Sequence, residues 1–149
     1  MKIERDIIYS KFNGRRAYCG NKIKIKDMQV DHIIPRSTYS FHMETRHKVP
    51  SFLTHLTISD VNHIDNLFPT CQVCNLSKLN YSLEYFRSEL NDMMNILENK
   101  NHTYRMAKRY KMVTSKRPKP IKFYFEHERL MINNRLNVVY HLLCVGVGY

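Results

Sequence analysis

The stretch VDHIIPRS, residues 30–37, decides how this chain is read. Val30, Ile33 and Ile34, with Met28 and Gln29 before them, favour a short strand of β-branched and apolar residues. Asp31 and His32 stand side by side in its middle. Neighbouring strand residues point to opposite faces, so only one of the two can face solvent if the other face is core. A half-exposed strand with a polar edge is the bland account. The alternative is a strand that carries a metal ligand and a base.

The charge of the chain bounds its partners. Its 149 residues, 43% of them apolar, fit one domain, or one domain with an added terminal segment, and the formal net charge is +11 with a pI near 9.6. Such an excess favours a polyanion, nucleic acid or an acidic membrane surface. The charge is uneven: residues 1–48 hold 11 Lys/Arg against 5 Asp/Glu, residues 49–99 hold 2 against 6, and residues 100–149 hold 11 against 2. The two basic ends are the expected contacts of a bound polyanion. The N-terminus, MKIERDIIYS, is too charged for a signal peptide, and no apolar run reaches the roughly 18–20 residues of a membrane span. The expectation is a cytoplasmic protein with no membrane partner. In that setting Cys19, Cys71, Cys74 and Cys144 favour metal ligation or free thiols over disulfides.

Along the chain, Ile3, Ile7, Ile8 and Phe12 have near-helical spacing, and Asn13-Gly14 ends that helix. Residues 15–22 read as a turn, and 22–35 as two short strands broken near Lys26-Asp27. Residues 36–62 read as a long loop with at most a short helix. Residues 64–75 begin as a strand and end in a cysteine knuckle. The clearest helix is 82–100: Ser82 is a fitting N-cap, and Leu83, Phe86, Leu90, Met93, Met94 and Leu97 form an apolar stripe expected to be core. A basic helix over 102–112, a linker over 115–120 and a strand over 121–126 follow. This divides the chain into 1–100, 101–126 packed on it, and an extension, 127–149, of unassigned role.

Cys71-x-x-Cys74 is a two-thiolate knuckle, although two cysteines at this spacing also occur as buried thiols at a helix start. A closed structural zinc site takes four ligands. Cys19, in the Tyr18-Cys19-Gly20 turn, is the expected third, and a C-x-x-C partner would stand at position 16, where the chain has Arg16. Asp31 and Asn75 both offer oxygen ligands, which suits a hard cation such as Mg²⁺. His32 can then take a proton from a water beside that cation. Asn66 has two readings: it holds the His32 ring in its tautomer, or it braces the loop.

The order YCG, VDHIIPRS, IDNLFPTCQVCNLSK, over roughly residues 3–90, resembles the HNH endonucleases, the zinc-knuckle branch of the ββα-metal nucleases, in an H-N-N version. The resemblance implies an α+β fold: a ββα core of two short antiparallel strands and a helix, with flanking helices and a C-terminal strand. It implies Mg²⁺- or Mn²⁺-dependent hydrolysis of DNA phosphodiester bonds. His32 would be the general base, Asp31 and Asn75 the cation's ligands and Asn66 the middle residue of the motif, with Cys19, Cys71 and Cys74 on a structural Zn²⁺. It also fits a bacterial or phage-encoded origin. Two departures stand out: Arg16 in place of the first cysteine, and a long stretch between His32 and Asn66.

Each signal has a plainer reading. His32 alone would be a satisfied core histidine. His42, His47, His55 and His63 read as polar loop residues, one of which is a candidate fourth zinc ligand, and Cys144 as a packed thiol. The basic run with Arg105, Lys108, Arg109, Lys111, Lys116 and Arg117 is a solvated face on one reading. On the other it is a nucleic-acid surface, which Tyr104 and Tyr110 among its cations favour. For the whole chain the rivals to a nuclease are a catalytically inactive HNH-fold module that binds DNA or protein, and a zinc ribbon acting as an adaptor.

Overall fold

The expected strand is shorter than its apolar run: it spans Gln29–His32 and stops before Ile33 and Ile34, and its partner comes from the segment before the cysteine knuckle. The computed structural model describes residues 5–114 and 120–127. In them β1 (Gln29–His32) pairs antiparallel with β2 (Leu67–Thr70), with Asp31 opposite Phe68 and His32 opposite Leu67. Residues paired across strands share a face. Asp31 and Phe68 therefore lie on one side of the sheet, His32 and Leu67 on the other.

Helices surround this two-stranded sheet: α1 (Arg5–Ser10), α2 (Tyr39–Thr45), α3 (Gln72–Lys78), α4 (Leu83–Lys100) and α5 (His102–Arg109). The described fold is thus α+β with helix predominating. Among the described residues no helix is long and apolar enough to cross a membrane. Each sheet face buries its own cluster. Phe68 joins Phe12, Tyr18, Ile33, Leu83, Phe86, Phe123 and Phe125. Leu67 joins Ile8, Ile23, Met28 and Cys71, beneath α1.

Pro69 marks the outer side of β2. It has no N–H for a ladder, but its carbonyl accepts from Ala17 N at 2.8 Å. That bond docks the 15–22 turn on the sheet and carries Tyr18 and Cys19 with it. The 22–35 segment holds one strand, not two: Ile25–Asp27 is a 3-10 turn closed by Asp27 N on Lys24 O at 2.9 Å, and Lys22 forms a single bridge with Arg15.

The expected strand over 121–126 is not one. Residues 124–127 are helical. Glu126 Oε2 accepts from Phe123 N at 2.8 Å, as the third residue of a helix does in a capping box. Tyr124 N and Phe125 N donate to Tyr18 O and Ala17 O at 3.0 and 2.9 Å. The alternation of apolar residues over 121–126 reflects Phe123 and Phe125 both reaching the core from this turn, not a sheet face.

Ser82 caps α4 by accepting from Tyr85 N, and Leu83 and Phe86 are buried. Further along, Leu90 packs on the core, but Met93 is 46% exposed: the stripe outruns the core it was expected to fill.

Candidate functional site

Helix α3 lies against β1 and brings its polar face to the side of the strand that carries Gln29 and Asp31. Asn75 and Lys78 are three residues apart and so share a helix face. Asn75 Nδ2 donates to Gln29 Oε1 at 2.9 Å. Lys78 Nζ reaches both Asp31 oxygens, at 3.2 and 3.1 Å, and His32 O at 2.9 Å. Tyr18 donates its hydroxyl to Asp31 Oδ2. Asp31 and Asn75 therefore line one seam between strand and helix.

Lys78 is fully buried and Asp31 is 5% exposed. Burial pushes the Asp31 carboxyl above its ordinary value, although the Lys78 charge and the Tyr18 bond oppose the rise. Burial likewise lowers Lys78 against the pull of Asp31, and it raises Tyr18. The interior disfavours both charges, and each is held by the other.

His32 projects from the opposite face and is half-buried. Its Nε2 lies 3.0 Å from Asn62 Oδ1. Because that oxygen only accepts, the contact assigns the ring proton to Nε2 and leaves the Nδ1 lone pair basic. Asn66 does not touch the ring. It is fully buried, accepts from Ile34 N at 2.8 Å, and donates to Ile34 O and Val61 O at 3.2 and 2.9 Å. Asn66 thus fastens the chain leaving β1 to the loop before β2, the second of its two readings, and Asn62 takes the tautomer role. Lys78 was legible as the third residue after Asn75. Asn62 had no signal, since its place depends on a loop fold that spacing does not encode.

The sulfurs of Cys19, Cys71 and Cys74 converge within 4.8 Å of one another. Arg16 is there too: its Nη1 lies 3.9 Å from Cys19 Sγ, and its Nε is buried without a hydrogen-bond partner. Burial raises the Cys71 thiol, but the Cys74 N–H and the Arg16 charge outweigh it and hold the group below its ordinary value; burial takes Cys74 up to about 12. Three convergent sulfurs fit zinc, with the Arg16 guanidinium beside one of them. Among the described residues no histidine joins them. His55 and His63 gather with Asp65 instead, and His42 Nδ1 lies 2.7 Å from His47 O.

The Asp31–Asn75 seam offers oxygen donors to a hard cation, but the Lys78 ammonium stands within 3.2 Å of both Asp31 oxygens. A carboxylate offers about four lone-pair sites; Tyr18 and Lys78 make three contacts to Asp31, and Asn75, donating through Nδ2, keeps Oδ1 to accept. The Lys78 charge already neutralises the carboxylate, so a cation there would have to compete with the ammonium.

Of the expected basic surface, Arg105, Lys108, Arg109 and Lys111 are exposed. Lys108 pairs with Glu98 at 2.6 Å, and Arg105 donates to Asn99 O at 3.1 Å, which ties α5 to the end of α4. Lys116, Arg117 and Cys144 lie outside the described residues.

No protein-family model matches the chain, and neither curated proteins nor solved structures give a significant match.

Proposed function

We propose that this protein is a metal-dependent DNA endonuclease of the HNH type, built on a ββα unit of β1, β2 and α3. Two observations support the reading. On one face of β1, Asp31 and Asn75 line the seam with α3, and on the other face His32 is held through Nε2 by Asn62.

In the reaction, His32 Nδ1 takes a proton from water as the water oxygen attacks phosphorus. The bond from phosphorus to the leaving sugar oxygen breaks, that oxygen takes a proton from solvent water, and His32 gives its proton up to solvent. Asn62 holds the imidazole in the tautomer this needs. Asp31 and Asn75 are the residues that would hold Mg²⁺ or Mn²⁺, and Tyr18 and Lys78 fix the direction of the Asp31 carboxylate. When bound, that cation supplies charge stabilisation to the phosphoryl oxygens. Cys19, Cys71 and Cys74 would hold a structural zinc that fastens the 15–22 turn to α3. The exposed cations of α5 supply the DNA surface.

One observation favours the rival, an inactive HNH-fold module that binds DNA: Lys78 already neutralises Asp31. Supercoiled plasmid incubated with the full chain separates the two. Nicking in Mg²⁺ or Mn²⁺ that stops in EDTA supports the nuclease. Retarded but intact plasmid in every metal supports the module.

A further inference from the structure

The loop between α2 and β2 gathers a second set of metal-ligating side chains, away from the cysteines. His55, His63 and Asp65 each present one donor atom within 4.8 Å of the other two. His55 Nε2 is 3.0 Å from Asp65 Oδ2, and His63 Nδ1 is 3.7 Å from the same oxygen. The two rings stand nearly edge to face, 78° apart with centroids at 6.1 Å. Donor atoms sharing one ion at bond lengths of about 2.0–2.2 Å sit roughly 3.0–3.6 Å apart in octahedral or tetrahedral arrangements. The two observed separations bracket that range.

We propose that His55, His63 and Asp65 bind a transition-metal dication of the zinc, cobalt, nickel or iron(II) class. Two imidazoles with one carboxylate select this class; magnesium and calcium take oxygen donors. The three side chains are 54%, 42% and 46% exposed, so the remaining positions on the ion are open to water. Asp60, in the same loop, adds negative charge from outside the three-donor cluster, and Thr57 N and Oγ1 hold its Oδ2 at 2.8 and 2.7 Å. His63 Nδ1 exchanges its contact with Asp65 N, long at 3.3 Å, for the ion. His55 and Asp65 are ten residues apart, and the loop they close carries Asn62. A metal clip across such a loop restricts it. The site stands whether or not the protein cleaves DNA.

Cobalt(II) is the reporter, because thiolate ligands give it a charge-transfer band that imidazole and carboxylate ligands do not. Equilibrium dialysis of the full chain compares the native protein with a His55→Ala/Asp65→Asn variant, whose folding is verified by thermal unfolding without metal. The variant is expected to bind one cobalt fewer per chain while its thiolate band stays unchanged. His63→Gln, a milder change at an exposed ring, is expected to show the same loss. Cobalt uptake equal to that of the native protein in both variants would overturn the proposal. So would native protein in which every bound cobalt belongs to the thiolate band.

Discussion

Lys78 extends from α3 into the interior and sets its ammonium 3.1 Å from the Asp31 carboxylate, while the same nitrogen holds His32 O at 2.9 Å. One side chain thus fixes both the carboxylate and the backbone of the histidine beside it. Taking two charges out of water is costly, and their attraction only offsets that cost when the remaining bonds are made. Here Tyr18 and the His32 carbonyl make them.

The pair is therefore expected to be strongly coupled. Lys78→Met leaves a buried carboxylate without its partner and should lower stability by about 3–5 kcal/mol. Asp31→Asn/Lys78→Met removes both charges and should cost much less than the single change. Urea unfolding of the two variants, with Asp31→Asn alone to complete the cycle, measures the coupling. Additive losses would show that the two charges act independently.

Asn62 is expected to matter for rate and little for fold. Loss of a partner that orients a working imidazole typically costs about 10–100-fold, so Asn62→Ala should lower cleavage by that much with substrate affinity nearly unchanged. Asn62→Asp keeps the acceptor and should recover most of the rate. A rate for Asn62→Asp no better than for Asn62→Ala would show that Asn62 does not act by accepting from the His32 ring.

Arg16 marks the place where a fourth cysteine is missing, and the structure turns its side chain toward Cys19. Guanidinium has no lone pair to give a metal. Arg16→Cys is expected to raise zinc per chain and to make the thermal midpoint more sensitive to chelator, since metal binding then contributes more to folding. Elemental analysis and thermal unfolding with and without EDTA provide the measurement. Equal zinc retention by native and variant protein would mean that the guanidinium does not limit the site.

The basic end of the chain is expected to set affinity for DNA. Each neutralised phosphate releases counterions, so log K falls with log salt by roughly 0.9 per contact. Replacing Lys108, Arg109 and Lys111 with alanine should flatten that slope by about 2–3. An unchanged slope would move the DNA surface to the N-terminal cations.

What could be read from the sequence was what is local. β1, the Cys71–Cys74 knuckle and the Ser82 cap are set by residues a few positions apart. Arg16 could be matched to Cys19 by spacing alone, and the structure brings them together. What depended on distant parts of the chain was not legible. Asn62 reaches His32 from a loop that Asn66 clamps to Ile34 and Val61. The 121–126 alternation matched a strand because no local signal tells a sheet face from a turn with two aromatic anchors. The short helix allowed within 36–62 is α2, but its bounds were not legible, because its buried Tyr39 and Met43 are too few to set a clear helical period.

The most direct measurement is the cleavage rate of a labelled DNA duplex in Mg²⁺ by native protein and by His32→Ala, at matched thermal midpoints. General-base assistance contributes about 10²–10⁴-fold, and the half-buried ring is not part of either apolar cluster. The variant is therefore expected to bind DNA as the native protein does and to cut it slower by that factor. Cleavage by His32→Ala at the native rate, or no metal-dependent cleavage by the native protein, would contradict the account.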